Sequence, residues 1–108
     1  KAPQNARQRG DQLNTALKEM QVRHPWMGDV RGMGLMQAIE VVKDPISKEP
    51  DLERTKKLLE ASREEGVLIG LGGLYGTVVR IGPSLLITEQ EMAEGIEKLG
   101  RAVDRVGS

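Results

Sequence analysis

Residues 28–43 read GDVRGMGLMQAIEVVK, and this stretch decides the fold. Glycines at 28, 32 and 34 punctuate its first half. Leu35, Met36, Ala38, Ile39, Val41 and Val42 then give an apolar run without a helical stop signal. Its β-branched content predicts one long strand over Asp29 to Lys43. Apolar residues on both alternating faces predict burial on two sides, and Gly32 and Gly34 predict a bulge or a close backbone approach. Asp44 to Pro50 carries two prolines and ends the strand. Of the charges inside it, Arg31 reads as a structural ion pair, and Glu40 as paired or facing solvent. Lys43 reads as a solvated surface lysine, because a Schiff-base role needs a desolvated pocket that no surrounding motif provides.

Upstream, Leu13, Ala16, Leu17 and Met20 recur at i, i+3, i+4 and i+7, so Gln4 to Arg23 is predicted helical, with Pro25 closing it. Gly10 costs that helix about 1 kcal/mol relative to alanine, which predicts close packing beneath it. Downstream, Asp51 caps a second helix from Leu52 to Glu65 and Gly66 stops it. Leu52, Thr55, Leu58, Leu59 and Ser62 are predicted to face inward. Val67 to Ile69 forms a short β-branched-rich run, Gly70 to Gly76 reads as a loop, and Thr77 to Ile81 as another short strand. Thr88 and Glu91 make a capping box in front of Met92, Ile96, Leu99, Val103 and Val106, the face of a third helix. This order predicts an α+β, two-layer domain: a small, mostly antiparallel sheet with helices packed on one face.

With 108 residues, 38% hydrophobic and 30% charged, the chain fits one domain, residues 1–108. Sixteen basic and sixteen acidic residues cancel, so no bulk field draws nucleic acid or an anionic membrane. Trp26 and Tyr75 are the only aromatic residues among Phe, Trp and Tyr, too few for base-stacking platforms. The absence of cysteine excludes disulfides, thiolate metal sites and a thiol nucleophile. No apolar run approaches a membrane span and no secretory signal is visible, which predicts a cytoplasmic protein. The polar, uncapped start at Lys1 to Asn5 reads as a cut end.

Few residues could carry chemistry. His24, the only histidine, stands at the end of the first helix, where an imidazolium complements the helix dipole and the last carbonyls, and no spaced partners suggest a metal. Ser47, Ser62, Ser84 and Ser108 lack a nucleophile-elbow pattern. The glycines of residues 70–76 allow backbone N–H groups to approach an anion, but no P-loop Lys-Ser/Thr follows and the segment leads into a strand. A simple flexible connection is the alternative. Arg80 interrupts the apolar run Val78-Val79-Arg80-Ile81. Strand alternation sends it to solvent; the functional reading is a rigidly held fork that matches a carboxylate bidentately.

The run from His24-Pro25 through Gly28-Asp29-Val30-Arg31-Gly32-Met33-Gly34-Leu35-Met36 to Ile39-Glu40 resembles the C-terminal domain of class III pyridoxal-phosphate-dependent aminotransferases. Glu65-Gly66-Val67-Leu68-Ile69, Tyr75-Gly76, Val79-Arg80-Ile81 and Pro83 to Thr88 resemble the same family in the same order, as do Asn5-Ala6 and Gly10. The resemblance spans about Asn5 to Val106. It implies a fold-type-I enzyme, a homodimer or higher assembly, whose large domain, outside this chain, holds pyridoxal 5'-phosphate on a lysine. None of the seven lysines here lies in a segment resembling that site, so the resemblance implies that this chain alone does not transaminate. It implies that Arg80 binds a substrate carboxylate and that Gly72, Gly73, Tyr75, Gly76 and Thr77 edge the active site. The implied partners are an amino acid and a 2-oxo acid, with 4-aminobutyrate, ornithine, acetylornithine and alanine with glyoxylate as family substrates. Thr77, where the family often has Asn, and Pro83-Ser84, where a proline pair is common, depart from the pattern. The rival readings are a stand-alone, non-catalytic module for small-molecule binding or dimerisation, and a purely structural interaction domain pairing through Leu35 to Val42.

Overall fold

The computed structural model describes residues 2–34, 36–67, 70–72, 78–82 and 88–107. Along the chain run α1 (Ala2–Arg23), β1 (Met27–Met33), β2 (Met36–Val41), α2 (Leu52–Glu65), β3 (Gly70–Gly72), β4 (Val78–Ile81) and α3 (Glu89–Gly107). The strands form one sheet in the order β1-β2-β4-β3, every ladder antiparallel. Val30, Ile39, Val41, Val79 and Ile81 point from one face of it into a core shared with Leu13, Leu17 and Met20 of α1, Leu58 of α2 and Met92, Leu99 and Val103 of α3. This is the α+β, two-layer arrangement that the order of elements predicts.

The stretch expected to be one strand is a hairpin. β1 and β2 pair antiparallel from Met33↔Met36 outward, and Gly34 between them has φ of +57°, the left-handed region that a turn uses and glycine tolerates best. The predicted close approach holds at Gly32, where a Cβ would run into the Met36 carbonyl and the Gln37 side chain. The register irregularity falls instead between Met27 and Asp29. Gly28 lies there, its missing Cβ 2.6 Å from a Val42 methyl. Burial on two sides is also corrected: Gln37, Ile39 and Val41 are buried, whereas Met36, Ala38 and Glu40 on the other face are not. Met36 and Ala38 supply apolar density on the face that the hairpin leaves outside, and of that alternation only Val42, just past β2, is buried. The predicted loop over residues 70–76 is corrected at its start, since residues 70–72 form β3 on β4. The rest of that segment, and Leu68 and Ile69, lie outside the described residues.

α1 lies against the hairpin more closely than any side chain would allow. A Cβ on Gly10 would overlap the carbonyl oxygen of Gly34. Asn14 Nδ2 donates to Gln37 Oε1 at 2.8 Å, and Gln37 Nε2 donates to the Gly34 carbonyl at 2.8 Å, so the buried amide of Gln37 spans helix and turn. α2 is capped as expected: Asp51 accepts from the Arg54 amide, and Gly66, φ +86°, closes the helix. Thr55, Leu58 and Ser62 are buried together with Ala61, while Leu52 is 47% exposed, contrary to its predicted inward position at the first turn. The Thr88–Glu91 capping box forms in both directions, Thr88 N to Glu91 Oε1 at 2.9 Å and Glu91 N to Thr88 Oγ1 at 3.0 Å. The ring of His24 bonds the end of α3 rather than the carbonyls of its own helix: Nε2 is 2.8 Å from Asp104 Oδ1 and Nδ1 3.2 Å from the Gly107 carbonyl, which also accepts from Trp26 Nε1. Among the described residues no helix is long and apolar enough to cross a membrane.

Three carboxyls sit below their ordinary range. Asp104 is held down by the hydrogen bond from His24, Glu65 by that from Arg101, and Glu91 by the Thr88 amide. Each therefore contributes stability that is present above the unfolded carboxyl range near pH 4 and is lost as pH falls through its folded value. Urea midpoints should decline more steeply below about pH 4 in the parent sequence than in Asp104→Asn; equal slopes would remove Asp104 from this account. Gly10→Ala should lower stability by about 1–3 kcal/mol, because overpacking against the Gly34 carbonyl outweighs the gain in helix propensity. A raised urea midpoint for Gly10→Ala would show that α1 is free to lift.

Candidate active-site face

Strand alternation divides the sheet. The face turned away from the helices carries Asp29 and Arg31 of β1, Met36, Ala38 and Glu40 of β2, and Val78 and Arg80 of β4, because their neighbours along each strand point into the core. The ladders set the rows across it. Arg31 pairs with Ala38, Ala38 with Arg80, and Arg80 with Gly70 of β3. In the next row Asp29 pairs with Glu40, Glu40 with Val78, and Val78 with Gly72.

Arg80 is exposed on this face. Its lateral neighbours are a methyl group, at Ala38, and no side chain at all, at Gly70, so neither ladder partner sets a bulky group beside its guanidinium. Its side chain has no ion pair or hydrogen bond among the described residues. Arg31, two strands or about 10 Å away, is different: its Nη1 donates to Asp29 Oδ2 at 2.7 Å, the ion pair the sequence predicts. Glu40, half exposed, faces Asp29 directly across the ladder and lies diagonally from Arg80. Like charges placed opposite each other repel, and Arg31 answers only Asp29.

Of the residues predicted to edge a site, Gly72 ends β3, one position diagonal to Arg80. Gly73, Tyr75, Gly76 and Thr77 lie outside the described residues. The flank at Ala38 is not legible while residues 28–43 read as one strand, which gives no register, and the flank at Gly70 is not legible while residues 70–76 read as a loop.

The described lysines do not suit pyridoxal phosphate. Lys43 Nζ is 3.1 Å from Glu49 Oε2, and that carboxylate raises the ammonium above its ordinary range, the reverse of what imine formation needs. Every other described lysine, Lys18, Lys48, Lys56, Lys57 and Lys98, is exposed. Among the described residues no group of three His, Asp or Glu side chains could hold a metal ion.

The family model described as aminotransferase class-III matches residues 1–103. An alanine–glyoxylate aminotransferase 2 homolog of Arabidopsis thaliana is 35% identical over 106 residues, covering 98% of this chain and 22% of that protein. The alanine/serine racemase of Pyrococcus horikoshii is 36% identical over 99 residues, 92% of this chain and 20% of that one. A solved amine transaminase from an uncultivated Pseudomonas species, in a PLP-bound form, superposes with a TM-score of 0.86 at 29% identity, over 98% of this chain and 24% of that one. The chain thus spans about a fifth to a quarter of the length of these relatives. With its sequence motifs, its sheet and nearly all its length in common with them, the chain belongs to the class III aminotransferase family.

Proposed function

We propose that this chain is the C-terminal small domain of a pyridoxal-phosphate-dependent aminotransferase, one that passes an amino group from an amino acid or ω-amino acid, of the 4-aminobutyrate or alanine type, to a 2-oxo acid. The observation that carries the reading is Arg80: an exposed guanidinium on a fixed strand, without a partner among the described residues, on the open face of a sheet that belongs to this family. Its task is to bind. Two parallel N–H donors of the fork take the two oxygens of a substrate carboxylate, and anchoring that group in one orientation places the reacting carbon. The strand supplies rigidity, since Arg80 is hydrogen-bonded into ladders on both sides.

Gly72, the last residue of β3, lies diagonal to Arg80 and edges the same site in this reading; Gly73, Tyr75, Gly76 and Thr77, which the family resemblance assigns to that edge, lie outside the described residues. Pyridoxal phosphate is held by a part of the polypeptide outside this chain, in an assembly of two or more subunits, and no chemical step falls to the residues described here. The chain by itself is inactive.

One observation favours a second reading, the 36% identity to an alanine/serine racemase. A carboxylate anchor serves either reaction. Incubating the full-length gene product with L-alanine and a 2-oxo acid separates them: transfer yields pyruvate and a new amino acid, racemisation yields D-alanine alone.

Replacing Arg80 with alanine in the full-length gene product should lower kcat/KM for carboxylate-bearing donors by about 10- to 100-fold, the size of a lost hydrogen-bond pair to a charged group. Donors that are simple amines should change by less than about threefold. Equal losses for both classes of donor would overturn the assignment of Arg80.

A further inference from the structure

Arg23, His24 and Trp26, at the junction of α1 and β1, grip the far end of α3. Gly107 is the last residue of that helix, so its carbonyl has no partner within it. Trp26 Nε1 donates to this carbonyl at 3.2 Å, and His24 Nδ1 stands 3.2 Å from the same oxygen. On the other side of the ring, His24 Nε2 is 2.8 Å from Asp104 Oδ1, which Arg23 also reaches at 3.6 Å. The fit is close. A Cβ on Gly107 would overlap Trp26 Nε1, and both His24 and Trp26 are buried.

Both nitrogens of the ring thus face oxygens that only accept, a backbone carbonyl and a carboxylate. The imidazolium, with a proton on each nitrogen, satisfies the two together. A neutral ring has one N–H. It keeps the bond to the carboxylate, the stronger acceptor, and turns the lone pair of Nδ1 toward the Gly107 carbonyl, which is left with Trp26 alone. The other charges around the ring are engaged elsewhere or with Asp104. Arg54 of α2 lies 5.3 Å from the centre of the Trp26 ring and 3.7 Å from Asp51, while Arg101 and Arg105 of α3 pair with Glu64, Glu65 and Glu97. Met27 and Gly28, at the start of β1, bring no charge.

We infer that His24 is a pH-sensitive clasp on the C-terminal end of α3, closed when the ring is charged and half open when it is neutral. Histidine side chains change charge between about pH 5 and 8. Because the charged form makes both bonds, the contribution of the clasp is complete on the acid side and is lost as pH rises through the titration of the ring. Asp104 bounds it from below: the hydrogen bond from His24 holds that carboxyl under its ordinary range, so the acceptor stays ionised where the ring titrates. Asp104 is exposed and gives the buried ring its contact with solvent protons. The part that loosens is the last turn of α3. The sheet keeps its own ladders.

Amide hydrogen exchange of the full-length gene product, read by mass spectrometry between pH 5.5 and 8 and corrected for intrinsic exchange chemistry, reports the clasp in peptides from residues 99–107. Opening there should grow about three- to tenfold toward pH 8, the size of one net hydrogen bond. Peptides from residues 56–65 of α2 should stay within twofold. His24→Gln should abolish the pH dependence. Asp104→Asn should move the transition to lower pH, because the carboxylate that favours the imidazolium is gone. Nitrogen-15 spectra of ring-labelled histidine, with the His24 signals identified by their displacement in Asp104→Asn, should show both nitrogens protonated at the acid end and Nε2 alone at the basic end. Protection of residues 99–107 that is independent of pH would overturn the clasp, as would an unchanged pH dependence in His24→Gln. A neutral ring protonated on Nδ1 would overturn it too, since that form keeps the Gly107 bond. An equal rise in the α2 peptides would mark a change of the whole domain and overturn it as well. If His24→Gln does not fold, the parent profile, the Asp104→Asn shift and the ring spectra still decide.

Discussion

The contact between Gly10 of α1 and the carbonyl of Gly34 governs everything that the open face of the sheet presents. It lets the helix descend onto the β1–β2 turn, and the amide of Gln37 fills the remaining space by bridging Asn14 and that same carbonyl. With Gln37 turned inward, the two-residue period of a strand turns Ala38 outward. The ladder that pairs Ala38 with Arg80 then turns Arg80 outward as well. A slip of one residue in that ladder would bury a guanidinium and expose Val79, which is fully buried. The position of the arginine is therefore decided some seventy residues upstream of it, by the absence of a side chain in a helix.

The two arginines of the open face share a row and differ in everything else. Arg31 has an acid two positions away on its own strand and is spent on it. Arg80 has Ile81 and Val79 beside it on its strand, a methyl group on one flank and a glycine on the other. The contrast separates a guanidinium spent on an ion pair from one without a partner among the described residues, and composition alone does not make it.

All three helices were legible, because each carries a 3.6-residue apolar period and two carry explicit caps, Asp51 with Gly66 and Thr88 with Glu91. The layer arrangement was legible for the same reason. The hairpin was not: the three glycines of residues 28–34 do three different jobs, at an irregularity, at a close approach and at a turn, and nothing local tells them apart. What selects Gly34 as the turn is the helix lying on its carbonyl, a contact between residues far apart in sequence. The site suffered from the same gap. Arg80 stood out as a charge in an apolar strand, but its surroundings depend on register, which needs the hairpin first. His24 shows the other kind of miss: the expected helix terminus was right in kind and wrong in identity, since the ring meets the end of α3, eighty residues on.

The strand order has a consequence for how the chain assembles as it is made. β4 lies between β2 and β3, so β3, although it emerges first, has no ladder to join until residues 78–81 have left the ribosome. The β1–β2 hairpin pairs neighbours in sequence and can form early, while the β2–β4 ladder joins segments about forty residues apart and waits on a loop closure. Until then β2 has a free edge carrying the backbone groups that will later hold Arg80. The arginine strand is thus the keystone of the sheet, added near the end and bonded on both sides at once, so the sheet is completed in the same event that fixes Arg80 in place.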